Sequence, residues 1–196
     1  SNRLLTSLLL SASAETPVDP RVLKTLDALC DGGLLDHLGG GFFTHSRDRE
    51  WRIPHFEKRL VDNALLAETF SQAFRLTQNP RYRRAAEESV SFILSRLALP
   101  EGGFAVSLGN ETPSGDATYY LWTRDEIQET LPPEEFAVIR RYYALNDSPH
   151  LDRYYVLCQA QPLDTIADDL GLSLEQAELR LKQGQTRLLD VRQRRT

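Results

Sequence analysis

Residues 56–80 read FEKRLVDNALLAETFSQAFRLTQNP. From Phe56 the apolar positions Leu60, Ala64, Ala67, Phe70 and Phe74 recur at spacings of three and four, the period of one helix face over about five turns. Thr77, Gln78, Asn79 and Pro80 then form a turn cluster that ends in a residue unable to continue a helix. A second helix follows at once, with Tyr82, Ala86, Val90, Ile93, Leu94 and Leu97 on one face. Two long helices with so short a joint predict an αα-hairpin.

The same pattern extends outward. Leu4 to Leu10 and Val22 to Cys30 read as an earlier pair, the former as an amphipathic helix rather than a signal peptide. Thr123 and Glu126 have capping-box spacing before a short helix through Ile127, and Pro132 and Pro133 open another carrying Phe136, Val138, Ile139 and Tyr143. Leu163 to Leu170 and Ser173 to about Arg194 complete the chain, Ser173 and Gln176 forming a second capping box. The predicted class is all-α, with two β-ribbons. One pairs 41–44 with 51–53, the other 103–107 with 118–122, since both alternate small or polar residues with aromatics around a turn-rich middle. The short connections 13–19, 77–80, 131–132 and 171–172 alternate with the long ones 32–55, 98–122 and 145–162. Stacked hairpins would gather the long ones on one rim, where function concentrates.

Of the 196 residues 41% are hydrophobic and 26% charged, an ordinary soluble balance, and no apolar run approaches the length of a bilayer span. The net charge of −5 draws in no nucleic acid. Residues 165–179 imitate a helix-turn-helix, but the second helix offers Glu175 and Glu178 where a reader of DNA needs Arg, Lys, Asn or Gln. Cys30 and Cys158 are isolated, so reduced thiols in the cytoplasm are expected. The chain contains no methionine, and this predicts a piece of a longer protein.

Residues 36–64, DHLGGGFFTHSRDREWRIPHFEKRLVDNA, hold three histidines, a glycine triplet and a tryptophan where a plain linker would be Ser- and Lys-rich. The glycines read as a tight turn against a neighbouring helix, because no G-x-G-x-x-G follows a strand. His37, His45, His55 and Glu57 are suitable metal donors, but their spacing matches no compact site, so no metal and no cofactor is predicted.

Several blocks resemble a known family. Gly32 to Phe42, Trp51 to Lys58 with its Ile53-Pro54-His55-Phe56 core, and Asp62-Asn63-Ala64 are similar to the thioredoxin-domain-containing proteins of the spermatogenesis-associated type. Pro100 to Phe104, Tyr119 to Thr123, Asp169 to Ser173 and Leu188 to Arg195 resemble its further motifs. The resemblance implies a thioredoxin-like domain followed by an (α/α) toroid similar to N-acylglucosamine 2-epimerases and six-hairpin glycosidases. This chain would be one helical domain, the first part of that toroid, without the thioredoxin domain. The chain departs from the family pattern at Gly109, where an acid is missing, at Glu111, where the acid is one methylene longer, and at Arg59 and Val61.

A sugar-binding or sugar-modifying domain is therefore the leading expectation. Epimerisation beside a carbonyl, or glycosidic cleavage, needs a placed proton donor and acceptor. His37, His55 and Glu57 are the acid/base candidates, and the positive end of a helix beginning near His55 would favour a carboxylate and a neutral imidazole. Asp36 and Asp48 would orient or bind, and Trp51, Tyr119 and Trp122 would offer flat faces to a carbohydrate ligand. The alternative is a non-catalytic interaction domain, in which the same rim docks the thioredoxin-like domain or another protein. An open partial toroid also exposes an apolar edge, which predicts self-association.

Overall fold

The computed structural model describes residues 18–109 and 117–195. The predicted helix at Leu4 to Leu10, and Asn110, Glu111 and Thr112 with their family departure, lie outside the described residues. The chain forms two compact units, residues 1–109 and 110–196. Among the described residues it is all-α, as the periodicity predicts, with one small antiparallel sheet.

In the first unit, α1 (Pro20–Asp31) starts on Asp19, whose side chain accepts from the Arg21 N–H, with Pro20 in the first helical position. A long connection leads to β1 (Lys58–Arg59), α2 (Leu60–Thr77) and α3 (Pro80–Phe92), which continues into a π-helical turn over Ile93–Leu97. The joint between α2 and α3 lies where the turn cluster placed it. Gln78 adopts the left-handed conformation at φ 56°, and the Asn79 side chain caps α3. Phe42 stacks on Phe70 with centroids 5.4 Å apart, and Phe70 meets Tyr82 at 6.0 Å. The Tyr82 hydroxyl reaches Asp27 at 2.9 Å and ties α3 to α1. Cys30 is buried on α1, and that burial pushes its thiol up to about 12.

The buried helix faces are rotated from those the apolar stripes predict. On α2 the inner positions are Asn63, Leu66, Ala67, Thr69, Phe70 and Ala73, while Ala64 is exposed. On α3 they are Tyr82, Ala85, Ala86, Ser89 and Phe92, while Val90 and Leu94 face solvent. Polar inner residues explain the offset. Ser89 and Thr69 return their hydroxyls to the Ala85 and Leu65 carbonyls, so both can be buried satisfied.

The ribbons also pair differently from the expected partners. The first runs over 44–47 against 53–57, Ser46 bridging Pro54, while Phe42 bridges back to Leu35. Ser107–Leu108 forms β2, antiparallel to β1, with Lys58 opposite Leu108 and Arg59 opposite Ser107. The register follows the turns. The first ribbon extends into the predicted loop, where Asp48 closes it by accepting from Ile53 N–H, and Leu60 N–H donates to the Val106 carbonyl at 2.9 Å beside the second.

The second unit contains α4 (Arg124–Thr130), α5 (Pro133–Tyr142), α6 (Leu163–Leu170) and α7 (Leu174–Gln193). Both predicted capping boxes form, at Thr123 with Glu126 and at Ser173 with Gln176. Ile127, Val138, Ile139, Ala177 and Leu188 are its fully buried centre. Gly184 lets α7 approach α5, since a Cβ there would lie 2.9 Å from Ile139. Trp122 bridges Tyr155, and the Tyr155 hydroxyl donates to the Leu145 and Asp147 carbonyls.

Candidate functional site

The connection between α1 and β1 is built around a buried charge. Asp36 lies where Leu35 bridges Phe42, and its Oδ1 accepts from the Leu38 and Gly39 N–H groups at 3.1 Å. Its Oδ2 takes the Lys58 ammonium at 2.6 Å, the two side chains being 4% and 2% exposed. Lys58 also donates to the Gly40 carbonyl at 2.6 Å and lies 4.6 Å from the Phe92 ring centre and 5.0 Å from that of Phe43. A buried ammonium is tolerable only with this density of acceptors and ring faces around it.

Asn63, fully buried on α2, holds the other side of the turn. Its Oδ1 accepts from Phe42 N–H at 2.6 Å, and its Nδ2 donates to the Phe42 and Arg59 carbonyls at 3.0 and 2.9 Å. Gly40 and Gly41, at φ 69° and 74°, back onto α3: a Cβ on Gly41 would come within 2.6 Å of the Phe92 ring. The glycine triplet is thus the tight turn against a helix that the sequence suggested. Beside it, burial pushes the half-buried Glu88 carboxyl above its ordinary value, and the charge of Asp36 adds to the shift although Arg84 opposes it.

The histidines divide into two kinds. The ring of His37 turns inward, its Nε2 3.1 Å from the Gly32 carbonyl, and desolvation holds its imidazole below the usual value despite that bond and the nearby Asp36. His45 and His55 are exposed on the ribbon, stacked with ring centres 5.0 Å apart. Both precede α2, which begins only at Leu60, so neither His55 nor Glu57 stands at the helix N-terminus that the sequence reading gave them. Glu57 is half-buried, and its backbone pairs with Thr44 and His55.

Asp48 and Trp51 shape the ribbon tip. Partial burial would raise the Asp48 carboxyl, but donors from Ile53 N–H at 2.7 Å, the Ser46 hydroxyl at 2.8 Å and Arg52 N–H outweigh it and lower it. Trp51 takes φ 57°, uncommon for a bulky residue, and its carbonyl accepts from Gly33 N–H at 2.8 Å. Gly32 permits that approach, because a Cβ there would lie 2.7 Å from the same oxygen. In the second unit Trp122 is wholly buried, with the Arg195 guanidinium 3.8 Å from its ring centre, and serves as a core anchor. Tyr119 is half-buried against Tyr120, and Arg192 lies 5.4 Å from both rings.

Asp36, Lys58, His37 and Asn63 therefore assemble the loop, while His45, His55 and the arginines at 47, 49 and 52 face water. Sequence reasoning missed Lys58 and Asn63 as central residues. One signal was present: Pro54, Phe56 and Lys58 fall on the buried side of a strict alternation. Among the described residues no three His, Cys, Asp or Glu side chains gather as a metal site, and no helix is long and apolar enough to cross a membrane.

No protein-family model matches the chain. It is 31% identical to human spermatogenesis-associated protein 20 and 29% identical to the mouse protein, each over 88% of this chain and 25% of the relative. An uncharacterized protein of Caenorhabditis elegans is 31% identical over 66% of this chain and 20% of its own length. The chain spans about a quarter of the length of the curated relatives it matches first.

Proposed function

We propose, from the chain's similarity to about a quarter of human spermatogenesis-associated protein 20, that it is an interaction scaffold whose ribbon docks another part of a longer protein. The occupant proposed is the thioredoxin-like domain that the family resemblance implies. The observation supporting this reading is that the loop commits three of its candidate groups to its own structure. Asp36 is bound by Lys58 and two backbone N–H groups, His37 bonds the Gly32 carbonyl, and Asp48 accepts from three donors. A group that moves a proton or binds must be able to reach its substrate; one acid/base candidate, His37, and both orienting carboxylates, Asp36 and Asp48, are committed within the fold. What they hold up is a crest bearing Arg47, Arg49 and Arg52 against Glu50, which suits an acidic partner surface.

The test is binding between this chain and a separately produced thioredoxin-like domain of the same parent protein, read by calorimetry. Arg47→Glu with Arg52→Glu should weaken it at least tenfold. Full affinity in that variant, or no binding at high micromolar concentration, removes the reading.

A sugar-binding function is the second reading. It draws on the exposed imidazoles of His45 and His55 and on the half-buried Trp51 of the same ribbon. Thermal stabilisation by N-acylated hexosamines, lost in Trp51→Ala, would favour it over docking.

A further inference from the structure

The exposed face of the first ribbon carries an arrangement that the docking reading does not use. His45 and His55 are directly opposed across the antiparallel pair: His55 N–H donates to the His45 carbonyl at 2.9 Å, and the same register continues through Ser46 with Pro54 and Arg47 with Ile53. Directly opposed side chains share a face. Burial agrees, since His45, Arg47 and His55 are exposed while Pro54 and Phe56 are buried. We propose that His45 and His55 form a two-imidazole chelate for a divalent transition-metal ion, copper(II) most tightly, followed by nickel(II) and zinc(II).

Three observations carry this. First, the ring centres are 5.0 Å apart. Two imidazoles bound to one ion through nitrogens at about 2 Å, with a near-tetrahedral angle, have ring centres about 5 Å apart. The separation fits, and the stacked rings, inclined by 14°, turn about their side-chain bonds to bring two in-plane nitrogen lone pairs onto one ion. Second, the Thr44 hydroxyl lies 3.0 Å from His45 Nδ1. With Nδ1–H as donor to that hydroxyl, the Nε2 lone pair is left for the metal, the usual way an outer partner selects the ligating tautomer. Third, the ribbon is held rigid at both ends. Asp48 closes the tip, and Phe43 packs edge-on against Phe56 beneath the base at 5.3 Å.

Imidazole-only donation selects borderline ions over calcium or magnesium, and affinity follows copper above nickel and zinc. No third side chain joins the pair among the described residues, so water completes the coordination shell. Arg47 stands on the same exposed face and opposes a cation by charge.

The experiment uses the whole 196-residue chain. Nickel(II) chloride is titrated while the histidine ring resonances are followed by NMR, with affinity measured by calorimetry. The expected result is selective broadening of His45 and His55, with His37 and His150 unaffected at the same nickel concentration. His45→Gln and His55→Gln should each lower affinity at least tenfold, and Thr44→Val should lower it about tenfold. His45 and His55 are exposed and Thr44 is half-buried, and thermal melts in a chelator check that the variants fold. Equal broadening of all four histidines, or unchanged affinity in the double Gln variant, overturns the site. Neither outcome bears on docking, which is measured without metal and depends on the arginines.

Discussion

Lys58 sits on β1, twenty-two residues from Asp36, and their charged atoms are 2.6 Å apart with almost no exposure to water. That pair closes the loop between α1 and α2. Its value lies in what each partner would suffer alone. Lys58→Met leaves the Asp36 carboxylate buried beside two backbone donors without a cation, and should cost about 3–5 kcal/mol by urea denaturation. Asp36→Asn strands the ammonium and should cost a similar amount. A loss below about 1 kcal/mol in both would mean that water enters and the pair is not dry.

Gly41 and Gly103 have similar positive φ, 74° and 81°, but different neighbours. Alanine at 103 meets open space and should cost only the left-handed strain, about 1 kcal/mol. Alanine at 41 drives a methyl into Phe92 and Asn63, and should lose more than about 2 kcal/mol beyond that. Parallel thermal melts compare the two. Equal losses would show that Phe92 yields without penalty.

His37 provides a pH test. Burial lowers its folded pKa below the unfolded value, so the unfolded chain takes the proton first. Its contribution is complete above the unfolded pKa near 6.5 and is lost as pH falls from there through the folded value. His37→Gln should flatten the stability profile in that window and leave the profile above pH 7.5 parallel to the parent.

Glu88 gives the opposite sign. Its raised folded pKa means that folding favours the protonated acid, so stability falls as pH rises through that value. Glu88→Gln should raise the melting temperature at pH 7 and have little effect below pH 4. A lower melting temperature at neutral pH would show that the carboxylate makes a favourable contact.

Asp48 fixes the ribbon tip. Asp48→Ala removes the acceptor for Ile53, Arg52 and Ser46 and should cost about 1–3 kcal/mol. Because its pKa is lowered in the fold, the contribution is present above the ordinary Asp value and lost as pH falls through the folded one. Hydrogen exchange at Ile53 N–H reads the loss locally.

Much of the architecture was legible because it rests on local signals. Pro80 after Asn79 marked the joint, and Thr123 with Glu126 and Ser173 with Gln176 marked two helix starts to the residue. Face orientation was less legible, since Ser89 and Thr69 are polar by composition yet buried once their hydroxyls find carbonyls in their own helix. The loop was legible as special but not in its internal roles. Asp36 and His37 read as reactive groups, whereas long-range partners, Lys58 for the one and the Gly32 carbonyl for the other, determine what they do. No spacing rule announces a salt bridge across twenty-two residues.

The thiol on α1 has a use of its own. Cys30 is buried with its proton held up to about 12, while Cys158 is only half-buried. A thiolate reagent can therefore modify Cys30 only when α1 lifts away from its packing. Its labelling rate is an intrinsic clock for that breathing motion, read by mass spectrometry without any engineered probe, and Lys58→Met should make it run faster.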